Sequence, residues 1–409
     1  MILDISKVAS GQLVAQLINF ISIPILVRLY KPEAFGFFAI FSSIVWITVV
    51  LATAQAEHLI ITMKSRERAK ALTYAIIAFA ILVSILFQIV FLIVSFYWQD
   101  EIVFFRITDY LTLLLGISVF LIACNQALRY YATYTGQFIN HSLSAVLNSI
   151  GVFSASISYA VFYSKSVTGL IIGQAFGFFL SIIPFLVNTD FLKVPNWKHF
   201  TLKIYSVMIF VSGKIPNLLI THLSKTLSNR IPLLIVAKIG GEVVTGMFAI
   251  AERLISSPTG IFGNVVGQVF RHRYKQKDTI NPRKMIAATG LFSFCIYSFV
   301  FIFADYIVLI VLGDQWLDSV IYIRLFTVME MFNFVFYCVE DAVMVKGVYQ
   351  YRAYWYMAQL FMLFSFYVIA ISIDLSFNAE IFVGFMCFIR ILFVLYDLRK
   401  TSKLKYING

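Results

Sequence analysis

Residues Ala75–Ser95 read AIIAFAILVSILFQIVFLIVS, a run with no charged side chain and Gln88 as its most polar member. About 20 mainly apolar residues cross the roughly 30 Å of hydrocarbon in a bilayer. Backbone amides find no water there, so such a run spans as a helix. Similar runs, Ile286–Phe303 and Leu360–Ile373 among them, recur along the whole chain. Hydrophobic residues fill 61% of the 409 positions and charged residues only 13%. That balance excludes a soluble globular domain of this length. The expected fold is an all-α polytopic membrane protein.

Twelve helices account for nearly all of the chain. The apolar windows predict them at about 7–30, 34–63, 70–98, 103–130, 138–163, 167–188, 203–238, 242–270, 284–311, 317–345, 352–373 and 377–398. The breaks make chemical sense: Pro32 falls in the first turn of the second helix, and Asn281-Pro282 opens the ninth. The first helix contains Gln12, Gln16 and Asn19 and lacks a small-residue cleavage site, so it reads as retained and not as a signal peptide.

The net charge of +12 is spread by topology, not gathered into one stripe for nucleic acid. Loops after even-numbered helices are basic, for example Lys64, Arg66, Arg68 and Lys70, or Arg271, Arg273, Lys275 and Lys277. Loops after odd-numbered helices carry few basic residues, and those near Asp314 and Asp374 carry none. Basic loops stay cytoplasmic, so both termini are expected inside. Cys124, Cys295, Cys338 and Cys387 fall within apolar segments, which points to neither a disulfide framework nor a zinc site.

An internal repeat organises the helices. Arg28-Leu29 and Gly36-Phe37-Phe38-Ala39-Ile40 return 210 positions later as Lys238-Ile239 and Gly246-Met247-Phe248-Ala249-Ile250. Six helices separate the copies, so both have the same orientation. This predicts two pseudo-symmetric six-helix bundles about an axis along the membrane normal, residues 1–192 and 193–409.

Polar residues inside the spans mark the candidate site. A Lys or Arg at mid-bilayer costs about 2.5–3.5 kcal/mol even on the lenient insertion scale. Lys214, Lys225, Arg230, Arg253, Arg324 and Arg390 all fall within predicted spans. Arg324 and Arg390 lie near helix ends, where a long side chain snorkels. Lys214, Asn217, Thr221, Lys225 and Ser228 share a sector of roughly 80° on the seventh helix, a stripe suited to a wet, cationic passage. Gln12, Gln16 and Asn19 form a shorter polar face on the first helix, with interhelical hydrogen bonding as the competing reading. Glu330, Asn333, Tyr337 and Asp341 share a face of the tenth helix, and Glu57 and His58 close the second. Glu57, Glu330 and Asp341 are therefore candidates for a coupling proton or sodium ion, against simple neutralisation of the basic stripe. Gly169, Gly173 and Gly177 form a seam with spacing four, read as helix packing.

Tyr30-Lys31-Pro32-Glu33-Ala34-Phe35-Gly36 resembles the Y-x-P-x-x-[FY]-G signature of polysaccharide-repeat flippases, the O-antigen and capsule translocases of the multidrug/oligosaccharidyl-lipid/polysaccharide exporter superfamily. The run Gly169-Leu170-Ile171-Ile172-Gly173-Gln174-Ala175-Phe176-Gly177 is similar to that family's sixth-helix element. Gly246–Leu254 resembles its eighth-helix element, and Leu312-Gly313-Asp314-Gln315-Trp316 its loop before the tenth. The resemblance implies twelve helices, alternating access around a central cavity, and Arg253 as a basic residue of that cavity. Ser228-Asn229 stands before Arg230 where relatives often carry Asp, and Glu252 stands where they often carry an aromatic. No ion-coupling site is carried over through those positions.

The function implied is flipping of undecaprenyl-pyrophosphate-linked oligosaccharide repeat units across the bacterial cytoplasmic membrane, with Lys214, Lys225, Arg230 and Arg253 meeting the anionic headgroup, and Asn217, Thr221, Gln12, Gln16 and Asn19 meeting polar groups. The expected partners are the lipid-linked oligosaccharide, membrane lipids, and a polysaccharide polymerase with its chain-length regulator; nucleic acid is not expected. Export of small organic cations is the alternative, although it favours a cavity of carboxylates. A membrane glycan polymerase is a further alternative, and the short outward loops and lack of catalytic motifs argue against an enzyme.

Overall fold

The computed structural model describes residues 2–97, 109–187, 191, 197–275, 282–344, 349–372 and 378–402. Among them the chain is helical: α1 (Ile2–Leu29), α2 (Pro32–Thr53), α3 (Glu57–Ile60), α4 (Arg66–Tyr97), α5 (Asp109–Thr135), α6 (Phe138–Phe162), α7 (Val167–Leu186), α8 (Trp197–Ser212), α9 (Ile215–Lys275), α10 (Pro282–Ile302), α11 (Ala304–Ile307), α12 (Val320–Met344), α13 (Tyr349–Ser372) and α14 (Ala379–Ser402). Eleven helices are long and apolar enough to cross a membrane. One of them, Ile215–Gly260, has 46 residues, about twice what a bilayer needs at 1.5 Å per residue. Gly241 divides it, with φ +72° and ψ −169°, a conformation open to glycine and strained for other residues. The chain is thus an all-α membrane protein of twelve spans in two pseudo-symmetric bundles, and the break falls where the sequence predicts it, between 238 and 242.

Two predicted helices differ in detail. The second ends at Thr53, ten residues earlier than expected, because Ala54 (φ +47°) and Gln55 (φ +56°) turn into the left-handed region before α3 resumes. The seventh is interrupted at Gly213-Lys214, so α8 is a separate short helix and the span proper begins at Ile215. Pro216 then sits in the first turn of α9, where a missing amide donor costs nothing.

By internal contacts the chain forms two compact units: Met1–Tyr30 with Ile40–Arg230, and Lys31–Ala39 with Ile231–Gly409. In the first unit, the glycines of α7 let its backbone lie directly on α6. A Cβ on Gly177 would stand 2.7 Å from the Asn148 carbonyl oxygen, and one on Gly173 would meet the Ser156 hydroxyl. The seam is a packing device, as its spacing predicts. Tyr30 is fully buried, and its hydroxyl donates to the Ser156 carbonyl at 2.7 Å while facing Gly169. Burial pushes that phenol up to about 12. A second core gathers Leu59, Ile60, Leu72, Leu128, Tyr131, Val207 and Val211, which fixes α8 against α3, α4 and α5. The opposite face of α4 leaves Leu82, Ile85, Leu86, Ile89 and Ile93 uncovered, as a lipid-facing helix requires.

In the second unit, Trp316 has no exposed surface and takes the ring of Phe35 edge-on at 5.5 Å. A Cβ on Gly36 would run into the Glu242 carbonyl, and one on Gly246 into the Pro32 carbonyl. These two contacts exchange under the 210-residue offset, since Gly36 maps to Gly246 and Pro32 to Glu242. Arg324 pairs with Asp305 at 2.5 Å, both partly exposed, in agreement with its place near a helix end.

Candidate functional site

The predicted site residues with described side chains each have a definite setting within their own unit. In the first unit, the polar stripe of α9 begins at Asn217. Lys214 stands in the turn before the helix, exposed, with its ammonium over the Phe210 ring at 5.2 Å. It thus lies just before the apolar stretch Ile215–Gly260, not within a continuous seventh helix. Asn217 and Lys225 are exposed, Thr221 is half-buried and donates to the Asn217 carbonyl at 2.8 Å, and Ser228 is buried. Arg230 is half-buried at the end of the unit. Gln12, Gln16 and Asn19 are half-buried on α1, beside the face that seats Gly11 on Ser142 and gives the Ala15 carbonyl to the Ser149 hydroxyl at 3.1 Å.

Lys225 is the stripe residue that the fold brings to other titratable groups. The His58 ring from α3 stacks on His222 from α9, with centroids 4.3 Å apart and planes at 21°. From α5, the Tyr130 hydroxyl reaches His58 Nδ1 at 2.9 Å, with its ring edge-on to the imidazole. Burial, and then the field of Lys225, push His58 below the ordinary imidazole value. Glu57 precedes it in the chain and is 2% exposed. Its Oε1 accepts from the Thr53 hydroxyl at 3.2 Å, whereas Oε2 has no partner. Burial outweighs that hydrogen bond and raises the carboxyl to about 7. The early end of α2 creates this arrangement, since the left-handed turn at Ala54-Gln55 starts α3 in a new direction.

The stacked histidines and Tyr130 were not among the residues singled out for binding. His58 is visible in the sequence beside Glu57, and His222 lies three residues before Lys225 on the same helix. Nothing local signals that α3 and α9 meet.

The second unit carries its own polar cluster. Thr259 and Tyr297 share a short hydrogen bond between their hydroxyls. Glu330 is 5% exposed, takes a hydrogen bond from Asn333 at 3.0 Å on Oε1, and has no partner on Oε2. Arg390 and Glu252 lie within electrostatic reach of it. Arg253 is half-buried on α9 and makes no ion pair among the described residues. Asp341 belongs to α12, but its side chain lies outside the described residues. A groove of about 310 Å³ runs between α10 and α12, lined by Phe294, Tyr297, Phe301, Thr327, Val328 and Met331 among others. None of the residues predicted to bind substrate lines it.

Comparison with known proteins gives these clusters a context. Residues 25–321 match the family described as polysaccharide biosynthesis protein. No curated protein sequence matches the chain. Among solved structures, the lipid II flippase MurJ in an inward closed conformation is similar with a TM-score of 0.63 at 13% identity, over 98% of this chain and 90% of that one. An outward-facing multidrug resistance MATE family transporter of the MOP superfamily gives 0.53 at 12% identity, over 98% and 96%. A MOP superfamily transporter from Pyrococcus furiosus gives 0.51 at 13% identity, again over 98% and 96%. At such identities the likeness is one of fold. The family match covers most of the chain, so the protein belongs to the polysaccharide biosynthesis family.

Proposed function

Starting from that membership, we propose that the protein flips undecaprenyl-pyrophosphate-linked oligosaccharide repeat units from the cytoplasmic to the outer leaflet of a bacterial cytoplasmic membrane. Family membership and the flippase-like fold support a lipid-linked glycan as cargo. The observation that carries the anionic part is Lys225, an exposed ammonium inside a span, electrostatically tied to two histidines. A lysine there is costly unless it meets water or an anion. A pyrophosphate cannot cross about 30 Å of hydrocarbon unaided. Charge-assisted contacts from Lys225, Arg230 and Arg253 would replace its hydration, with Lys214 at the entry of the span and Asn217, Thr221, Gln12, Gln16 and Asn19 meeting polar groups. The prenyl tail stays in lipid throughout.

In this reading residues 1–192 and 193–409 are the two lobes, both termini are cytoplasmic, and a polymerase and its chain-length regulator act on the exported units. The protein works as a transporter, not an enzyme. Moving an anionic headgroup outward is electrically downhill in an inside-negative cell, by about 2.3 kcal/mol per charge per 100 mV. Coupling to a proton or sodium through Glu57, Glu330 or Asp341 is then an addition to the driving force, not a requirement.

The test is deletion in the native cell followed by lipid analysis. Build-up of a pyrophosphoryl-linked repeat unit, with loss of surface polysaccharide, is the expected result. An unchanged lipid pool with altered sensitivity to cationic drugs would overturn the reading.

A further inference from the structure

We propose that His58, His222 and Lys225 form an oxyanion site whose occupation is linked to proton uptake, so that a phosphate or diphosphate group docks beside Lys225 as the imidazole pair gains a proton. The inference deepens the flippase reading and rests on it for the identity of the cargo.

Two imidazoles stacked at 4.3 Å face each other closely enough that protonating either one sets a cation against its neighbour and against Lys225. The other groups around the pair do not compensate. Glu57, on the same short helix, accepts from Thr53 on Oε1 and lies within electrostatic reach of Tyr130, but forms no ion pair with either histidine among the described residues. From α5 the neighbour is Tyr130, a neutral phenol that holds one ring nitrogen of His58. From α9 the neighbours are His222 and Lys225 themselves. On α4, which also packs on α3, Glu67 is paired with Lys203, Lys70 lies over the Phe191 ring, and Tyr74 donates to the Phe191 carbonyl. Among the described residues no carboxylate pairs with either histidine, so the charged form of the pair is met by an anion from outside.

His58 and His222 are half-buried and Lys225 is exposed, so such an anion has access from one side. Histidine suits this task because its ordinary value, near 6.5, lies close to cellular pH. Without an anion the imidazole sits below its ordinary value, and an adjacent phosphate raises it. Between those two values binding takes up a proton, so affinity falls as pH rises through that window and is flat below it. The protein would then grip the headgroup more tightly on the more acidic side of the membrane. Tyr130 acts as a positioning residue, fixing the ring that stacks on His222.

The experiment uses the full chain in lipid nanodiscs with inorganic pyrophosphate as the probe. Calorimetry in two buffers of different ionisation enthalpy counts protons taken up per anion bound. Subtracting the value for the H58Q/H222Q double variant removes the titration of pyrophosphate itself. The expected difference approaches one proton near neutral pH, with an affinity loss of about tenfold per pH unit that the double variant lacks. Lys225→Ala should weaken binding at every pH. Ring-carbon NMR of labelled histidine in the unmodified protein gives a second readout independent of how the variants fold: two imidazoles should titrate at higher pH once pyrophosphate is added. Equal proton uptake by both proteins, or histidine titrations unmoved by pyrophosphate, overturns the proposal. Deletion that accumulates the lipid-linked unit, alongside pyrophosphate binding without proton uptake, would leave the flippase reading standing and remove this one. Proton-linked binding with an unchanged lipid pool would do the reverse.

Discussion

Gly173 lies where α7 rests on α6, and adding a single methyl group there probes the closest approach in the first unit. A Cβ at this position meets the Ser156 hydroxyl at a distance no real side chain tolerates, and the Val152 carbonyl oxygen at 3.0 Å. Forcing an extra methyl-sized group into a packed interior typically costs about 1–3 kcal/mol. The Ser156 hydroxyl is buried and has no hydrogen-bond partner, so Ser156→Ala alone should be neutral or slightly stabilising. In that background the worst clash disappears, leaving Ser156 Cβ at 3.2 Å and the Val152 carbonyl. The two substitutions should therefore couple by about 1 kcal/mol or more, with Gly173→Ala far better tolerated when Ser156 is alanine. Gly173→Leu has no such rescue, and should lower the amount of protein in the membrane. Thermal unfolding of the four detergent-purified proteins, followed by size-exclusion recovery, measures the cycle. If Gly173→Ala melts with the wild type, or loses as much in the Ser156→Ala background, the close-packed seam is not what holds α6 and α7 together.

Three further outcomes are expected. Lys225→Ala should abolish surface polysaccharide while membrane abundance stays normal; intact glycan would remove Lys225 from the transport path. Trp316→Ala empties a fully buried site against Phe35 and should cost about 3–5 kcal/mol, read as a large drop in melting temperature; an unchanged melting curve would contradict the packing described. Burial raises Glu57 to about 7 from an ordinary carboxyl value of 4.5, so between these values the folded chain holds a proton that the unfolded chain releases. Stability should fall as pH rises through that interval, and Glu57→Gln should flatten the profile. A wild-type profile that rises with pH there would reverse the assignment.

The quoted family motifs show how far local sequence reaches. Tyr30-Lys31-Pro32-Glu33-Ala34-Phe35-Gly36 is recognisable as a string, yet its residues do separate things. Tyr30 packs on Gly169 and α6, Phe35 on Trp316, and the Pro32 carbonyl on Gly246. Three other elements that resemble the family are thus its packing partners, within one unit or the other. The pattern is legible because glycine, proline and aromatic residues are the ones that close approach requires; the pairing among them is not.

The spans, their number and the repeat were determined by the sequence alone, because hydrocarbon imposes its cost locally, residue by residue, and leaves the record in every window of about 20 positions. The same windows could not place Lys214, because apolar composition runs unchanged through a break set by Gly213 and by the packing of α8. Nor could they join His58 to His222, which are 164 positions apart and sit on different helices. Only the tertiary structure decided those points, since the energy of a polar group in a membrane depends on which other groups stand beside it, and neighbours across helices are chosen by packing.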